Sequence, residues 1–299
     1  MRFAYGINGF ADHRLTEVLA VLVDLGYDGV ALALDHDHIA AYTDDPVTHV
    51  AAIIACLDEV GLAVVVGTDT YGPLDSRRAP APTLVGADGA ERRVDMLCRT
   101  VRFAAEIGSP VVSFRSGASE KRADPDVSWD RLLIGSAAVL DEAAVHGITL
   151  GLEPEPGAFV DTVEGYLELH RRLGGPEHLG LTLGLDAGGA SAPGVGFGPG
   201  FEAGFGAEAG VECAADRIRC LAPHLVDVRI AEPGPPGRRH PVRTPGVIDD
   251  HPSVLSALHD IGYAGLIGVE PPPGPVSPET ARSSLRALRA AAGRTPARR

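Results

Sequence analysis

The chain has 299 residues, 45% hydrophobic and 22% charged, which supplies apolar material for a large core and excludes a disordered chain. Its formal charge of −14 argues against a nucleic-acid backbone as the main ligand, because phosphates need compensating Lys and Arg. No apolar run is long enough for a membrane-spanning helix, so no membrane partner is expected.

Short apolar, β-branched runs alternate with longer helical patterns along the whole chain. The expected strands are 2–7, 28–34, 62–67, 110–115, 147–153, 180–186, 225–231 and 264–270. Most are continuously apolar, as parallel strands buried on both faces are. Amphipathic helices are expected between them, for example over 14–25, 132–145 and 252–260. Gly26, Gly61, Gly108, Gly147 and Gly262 each stand where a helix should end, and glycine there takes the left-handed cap conformation. The opening MRFAYGI reads as a strand rather than a signal sequence, so a cytoplasmic protein is expected. Cys56, Cys98, Cys213 and Cys220 show no metal-ligand spacing. Cys213 and Cys220, on one expected helix, read as small buried hydrophobes.

Eight unbroken β-then-α units suit either a closed barrel or an open doubly wound sheet. No GxGxxG follows the first strand and no GxxxxGK[ST] occurs, so the open nucleotide-binding sheet lacks its fingerprint. The fold expected is a single (β/α)8 barrel over residues 1–299, with long loops at 69–90, 187–207 and 232–249. The 187–207 loop holds eight glycines, with Phe197, Phe201 and Phe205 at intervals of four. It reads either as a lid over a ligand or as an insertion or oligomer contact.

In such a barrel, polar residues at strand C-termini face the active site. That rule selects Asp35, His36 and His38, then Ser113 and Arg115, Glu153 and Glu155, Asp186, Arg229 and Glu232, and Glu270. Glu153, Asp186 and Glu270 each end an apolar run, where a carboxylate must find a cation, a donor or a proton. Three acids at one mouth repel one another, and a divalent metal is an economical remedy. His36 and His38 either touch a ligand or face solvent, and Arg115 either serves the site or pairs with a neighbouring acid.

The segments LGLEPEPG (150–157), LGLDAGG (183–189), HLVDVRIAE (224–232), the stretch from His240 to Asp249, and GYAGLIGVE (262–270) together resemble the xylose-isomerase-like barrel superfamily. That superfamily includes sugar isomerases and epimerases, inosose-type dehydratases and endonuclease IV. The resemblance implies metal ligands at Glu153, Asp186, His240 and Glu270. Two histidines of the pattern are missing. The D-x-G-H motif reads Asp186-Ala187-Gly188-Gly189, and the usual H-x-K-D at the end of the seventh strand reads Arg229-Ile230-Ala231-Glu232. The remaining oxygen-rich set favours Mg²⁺ or Mn²⁺. Arg229 offers the alternative of neutralising the acids itself, leaving no metal, or of holding a substrate carboxylate or phosphate.

The function expected is an isomerase or epimerase that moves a proton next to a carbonyl in a sugar or cyclitol, with Glu153 and Glu270 as base and acid. His36, His38, Arg115, Glu155 and Arg229 are expected to contact this small-molecule substrate. Dehydration through the same enolate is the alternative, as is a metal-free barrel that only binds a metabolite or partner. The composition suits a specialised role in a GC-rich bacterium, and a homo-oligomer is left open.

Overall fold

The computed structural model describes residues 1–10, 13–34, 46–68, 82–120, 123–155, 157–185, 214–232, 251–271 and 276–293. Eight parallel strands close into a barrel in sequence order: β1 (Arg2–Gly6), β2 (Gly29–Leu34), β3 (Ala63–Thr68), β4 (Val111–Phe114), β5 (Thr149–Leu152), β6 (Leu179–Leu185), β7 (Leu225–Ala231) and β8 (Leu266–Glu270). Closure joins β1 to β8, with Phe3 opposite Ile267 and Tyr5 opposite Val269. Each strand falls within two residues of its sequence-based bounds at either end. The outer helices among the described residues are α1 (Leu15–Leu25), α2 (Pro46–Val60), α3 (Ala90–Glu106), α4 (Pro125–His146), α5 (Val163–Arg172), α6 (Ala214–Leu221), α7 (His251–Asp260) and α8 (Pro278–Gly293). None of the described helices is long and apolar enough to cross a membrane.

Local signals set the helix limits. At the start of α1 the Glu17 carboxylate accepts a hydrogen bond from the Arg14 N–H, one half of a capping box. At α4, Asp124 accepts from the Asp126 N–H at 2.9 Å and Pro125 opens the first turn. All five glycines expected to end helices have positive φ, from 65° at Gly147 to 89° at Gly26. That conformation penalises any residue with a Cβ.

The main core lies between the outer face of the barrel and the helices. Val18, Leu19 and Leu22 of α1 are buried there, each contributing about 1.5–3 kcal/mol relative to exposure. Tyr5, Phe10 and Tyr27 stack in the same layer, and the Tyr27 hydroxyl donates to the Ala281 carbonyl of α8 at 2.8 Å. A separate, smaller cluster joins Ala4, Val65 and Leu266 with Ala31 and Ala63 packed against it. Of the helical cysteine pair, Cys220 is exposed, which corrects the expectation of burial, and Cys213 lies outside the described residues. The amphipathic α6 simply turns position 220 outward.

Candidate active site

Side chains two apart on a strand share a face. In β7 this turns Asp227 and Arg229 together into the barrel, where Arg229 Nε donates to Asp227 Oδ2 at 3.0 Å. Both are buried, at 2% and 9% exposure. From β4, Ser113 accepts a short hydrogen bond from Arg229 Nη2. The guanidinium fits because its neighbours are small. A Cβ added to Gly67 of β3 would lie 2.5 Å from Nη2 and 2.8 Å from Nη1. At Gly268 of β8, by contrast, a Cβ would meet the Arg229 Cγ at 3.8 Å, an ordinary contact.

The next layer up carries the acids. Glu153 follows β5 and is held by its backbone N–H, which donates to the Phe114 carbonyl at 2.9 Å. Its Oε2 lies 3.0 Å from Arg115 Nη2 and 4.0 Å from Arg229 Nη1. Its Oε1 lies over Gly184 of β6, where a Cβ would come within 2.9 Å. Arg115 also pairs with Glu155, Nε to Oε2 at 3.4 Å. The loops carrying these residues are stitched together: Phe159 N–H donates to the Gly117 carbonyl and Val160 N–H to the Ser116 hydroxyl.

Glu270 ends β8, and its Oε1 accepts from Arg229 Nη1 at 3.1 Å. One guanidinium nitrogen therefore stands between Glu153, which is buried, and Glu270, whose side chain is 34% exposed. Burial works against the charge of Arg229, but Asp227, Glu153 and Glu270 together hold it more firmly protonated than an ordinary arginine. Burial pushes the Glu153 carboxyl above the usual glutamate range, and nearby Glu270 adds to this, against the pull of Arg115 and Arg229. The arrangement provides a fixed cation flanked by two carboxylates in different environments, which can bind a polar group and move a proton.

The family profile described as xylose isomerase-like TIM barrel matches residues 19–291. The chain belongs to that family. No functionally curated protein sequence matches it. Among solved structures, 3-keto-D-glucoside 4-epimerase YcjR from E. coli is similar at 15% identity and TM-score 0.69, over 97% of this chain and 99% of that one. D-psicose 3-epimerase from Clostridium cellulolyticum H10 is also 15% identical, with TM-score 0.66 over 98% and 99% of the two chains. An AP endonuclease, family 2, from Brucella melitensis is 17% identical, with TM-score 0.65 over 96% and 98%. At such identities the likeness carries the fold alone.

Within this xylose isomerase-like barrel, Arg115, Glu153, Glu155, Arg229 and Glu270 come together at one mouth. His36, His38, Asp186 and His240 lie outside the described residues, as do 69–81, 187–207 and 233–249 of the long loops. Glu232, selected with the mouth residues, belongs elsewhere. It accepts from the Tyr5 hydroxyl at 2.8 Å and forms a short hydrogen bond with Ser284 of α8, in the layer outside the barrel. Strand parity explains this, since Glu232 is an odd number of residues from Arg229. Asp227, not selected from the sequence, is the anchor of the site. The signal for it was the D-x-R alternation within an otherwise apolar strand.

Among the described residues no three His, Cys, Asp or Glu side chains gather as a metal-binding group. A divalent ion between Glu153 and Glu270 would lie against Arg229 Nη1, with Glu270 Oε1 already paired to that nitrogen and Glu153 Oε2 to Arg115. These described groups do not fit a metal at that point.

Proposed function

We propose that the protein is a sugar- or cyclitol-type isomerase or epimerase that transfers a proton at the carbon next to a carbonyl. The reading rests on one arrangement: Glu153 and Glu270, from β5 and β8, flank the Nη1 of Arg229 at the barrel mouth. Glu270, the more exposed carboxylate, removes the proton. Glu153, the buried one, returns a proton from the other side of the substrate. Return to the same carbon gives an epimer; return to the former carbonyl carbon, with the adjacent hydroxyl's proton passing to the carbonyl oxygen, gives an aldose–ketose isomer. Membership of a family whose solved relatives include sugar epimerases supports this class of substrate.

Of the described residues in this cluster, Glu153, Glu155, Asp227 and Glu270 face Arg115 and Arg229. Four acids against two bases favour a neutral polyhydroxylated substrate over a phosphate ester. The test is incubation in D₂O with D-psicose, D-fructose, D-tagatose, L-ribulose and an inosose, read by proton NMR. Deuterium entering next to the carbonyl supports the reading, and absence of exchange on every member counts against it. Loss of water from the same enolate would show instead as an unsaturated product, the outcome for a dehydratase. The pairing of both glutamates with a guanidinium favours, as a second reading, a barrel that binds a metabolite without turning it over. It predicts saturable binding of a panel member with no exchange.

A further inference from the structure

We propose that Arg229 is the resident cation of this site, occupying the place between Glu153 and Glu270 in lieu of a divalent metal and polarising the substrate's carbonyl oxygen. The catalytic half of this inference rests on the proposed proton-transfer function; the exclusion of a metal does not.

Three observations carry it. The guanidinium is held along every edge: Nε on Asp227 at 3.0 Å, Nη2 on Ser113, and Nη1 on Glu270 at 3.1 Å with Glu153 at 4.0 Å. It is buried, and withdrawing it would strand Asp227, which is 2% exposed. Room for it is built into the barrel wall, because a Cβ at Gly67 would collide with both terminal nitrogens. An arginine is not deprotonated in a protein, so this charge is permanent. A divalent ion approaching the same two carboxylates meets a fixed like charge and finds one oxygen of each already paired, Glu153 Oε2 with Arg115 and Glu270 Oε1 with Arg229.

The chemistry requires no transfer of the arginine's own protons. As one carboxylate takes the proton from carbon, the C–H electron pair becomes the new C=C bond and the carbonyl π pair moves onto oxygen. The resulting oxyanion accepts a hydrogen bond from the guanidinium at Nη1, the nitrogen already at the mouth. The second glutamic acid then protonates carbon and the electron pairs return. Arg229 thus does work that would otherwise call for a Lewis acid.

The test uses the full chain and Mn²⁺ alone. Electron paramagnetic resonance measures free Mn²⁺ during titration with the wild type, Arg229→His and Arg229→Lys. The wild type and Arg229→Lys, which both keep the charge, should leave Mn²⁺ free. Arg229→His, which replaces the charge with an imidazole donor, should take up about one equivalent at least about tenfold more tightly. Mn²⁺ should also raise the melting temperature of Arg229→His and not that of the wild type. Wild-type uptake as tight as that of Arg229→His would overturn the proposal, and so would no gain in Arg229→His. If Arg229→His does not fold, Arg229→Gln takes its place and the same two outcomes decide. The titration needs no substrate, so failure to turn over any ketose counts against the proposed function, while Mn²⁺ uptake still decides whether Arg229 excludes a metal.

Discussion

Arg229 and Glu270 meet at 3.1 Å although they stand at different depths on adjacent strands. In the β7–β8 register Arg229 is opposite Gly268, while Ala231 is opposite Glu270. The arginine therefore starts one layer below the glutamate and reaches up the barrel axis to it. A side chain rooted one layer below the mouth, tied to Asp227, supplies the charge there.

That anchoring predicts a structural cost. Arg229→Met removes the partner of buried Asp227 and should destabilise the protein by about 3–5 kcal/mol in urea unfolding. Adding Asp227→Asn should recover most of the loss, because no unpaired charge then remains buried. Equal unfolding midpoints for Arg229→Met and the wild type would show that the pair is not an anchor.

The small residues of the barrel wall should be as intolerant as the charged ones. Gly67→Ala pushes a methyl against both terminal nitrogens of Arg229, and Gly184→Ala pushes one against Glu153 Oε1. Overpacking of this kind costs about 1–3 kcal/mol, and each variant should lose turnover beyond what its loss of folded protein explains. Thermal melts alongside exchange rates separate the two effects. Full activity in Gly67→Ala would mean that the guanidinium does not need its observed position.

Glu270 is half-buried at the mouth and can be altered without opening the core. Glu270→Gln keeps its shape and removes its basicity, so kcat should fall by about 10²–10⁴-fold with little change in melting temperature. Wild-type turnover in this variant would dismiss Glu270 as the base.

Away from the site, His224 sets a pH dependence of stability. Burial, with His170 nearby at 5.0 Å between ring centroids, lowers its pKa below the ordinary 6.5. A depressed folded value means that the unfolded chain binds this proton more readily. The contribution of His224 is therefore complete above pH 6.5 and is lost as pH falls through its folded value. Melting temperatures from about pH 7.5 down to about pH 5, compared with those of His224→Gln, should show a shallower decline in the variant. Parallel curves would exclude His224 as the cause.

The barrel was legible because parallel strands buried on both faces leave continuous apolar runs, and because helix-ending glycines such as Gly147 and Gly262 mark the return to each strand. The mouth was legible in part. Glu153 and Glu270 end apolar runs and Arg229 falls inside one, where a charge demands a partner. Which partner each finds is a matter of register and depth, and no single segment carries that information. Glu232 illustrates the point: it sits in the same motif as Arg229, yet strand parity sends it outward to Tyr5. The role of Gly67 was hidden for a related reason, since its importance lies in the side chain of another strand. Asp227 was readable by counting two back from Arg229.

The most direct test follows deuterium entering the carbon next to the carbonyl of a neutral ketose in D₂O, with EDTA present, for the wild type, Glu153→Gln and Glu270→Gln. Exchange by the wild type that survives the chelator and is lost in both variants is the predicted result. Exchange that stops with EDTA, or that continues unchanged in the two variants, would contradict a proton-transfer site built from two glutamates and a resident arginine.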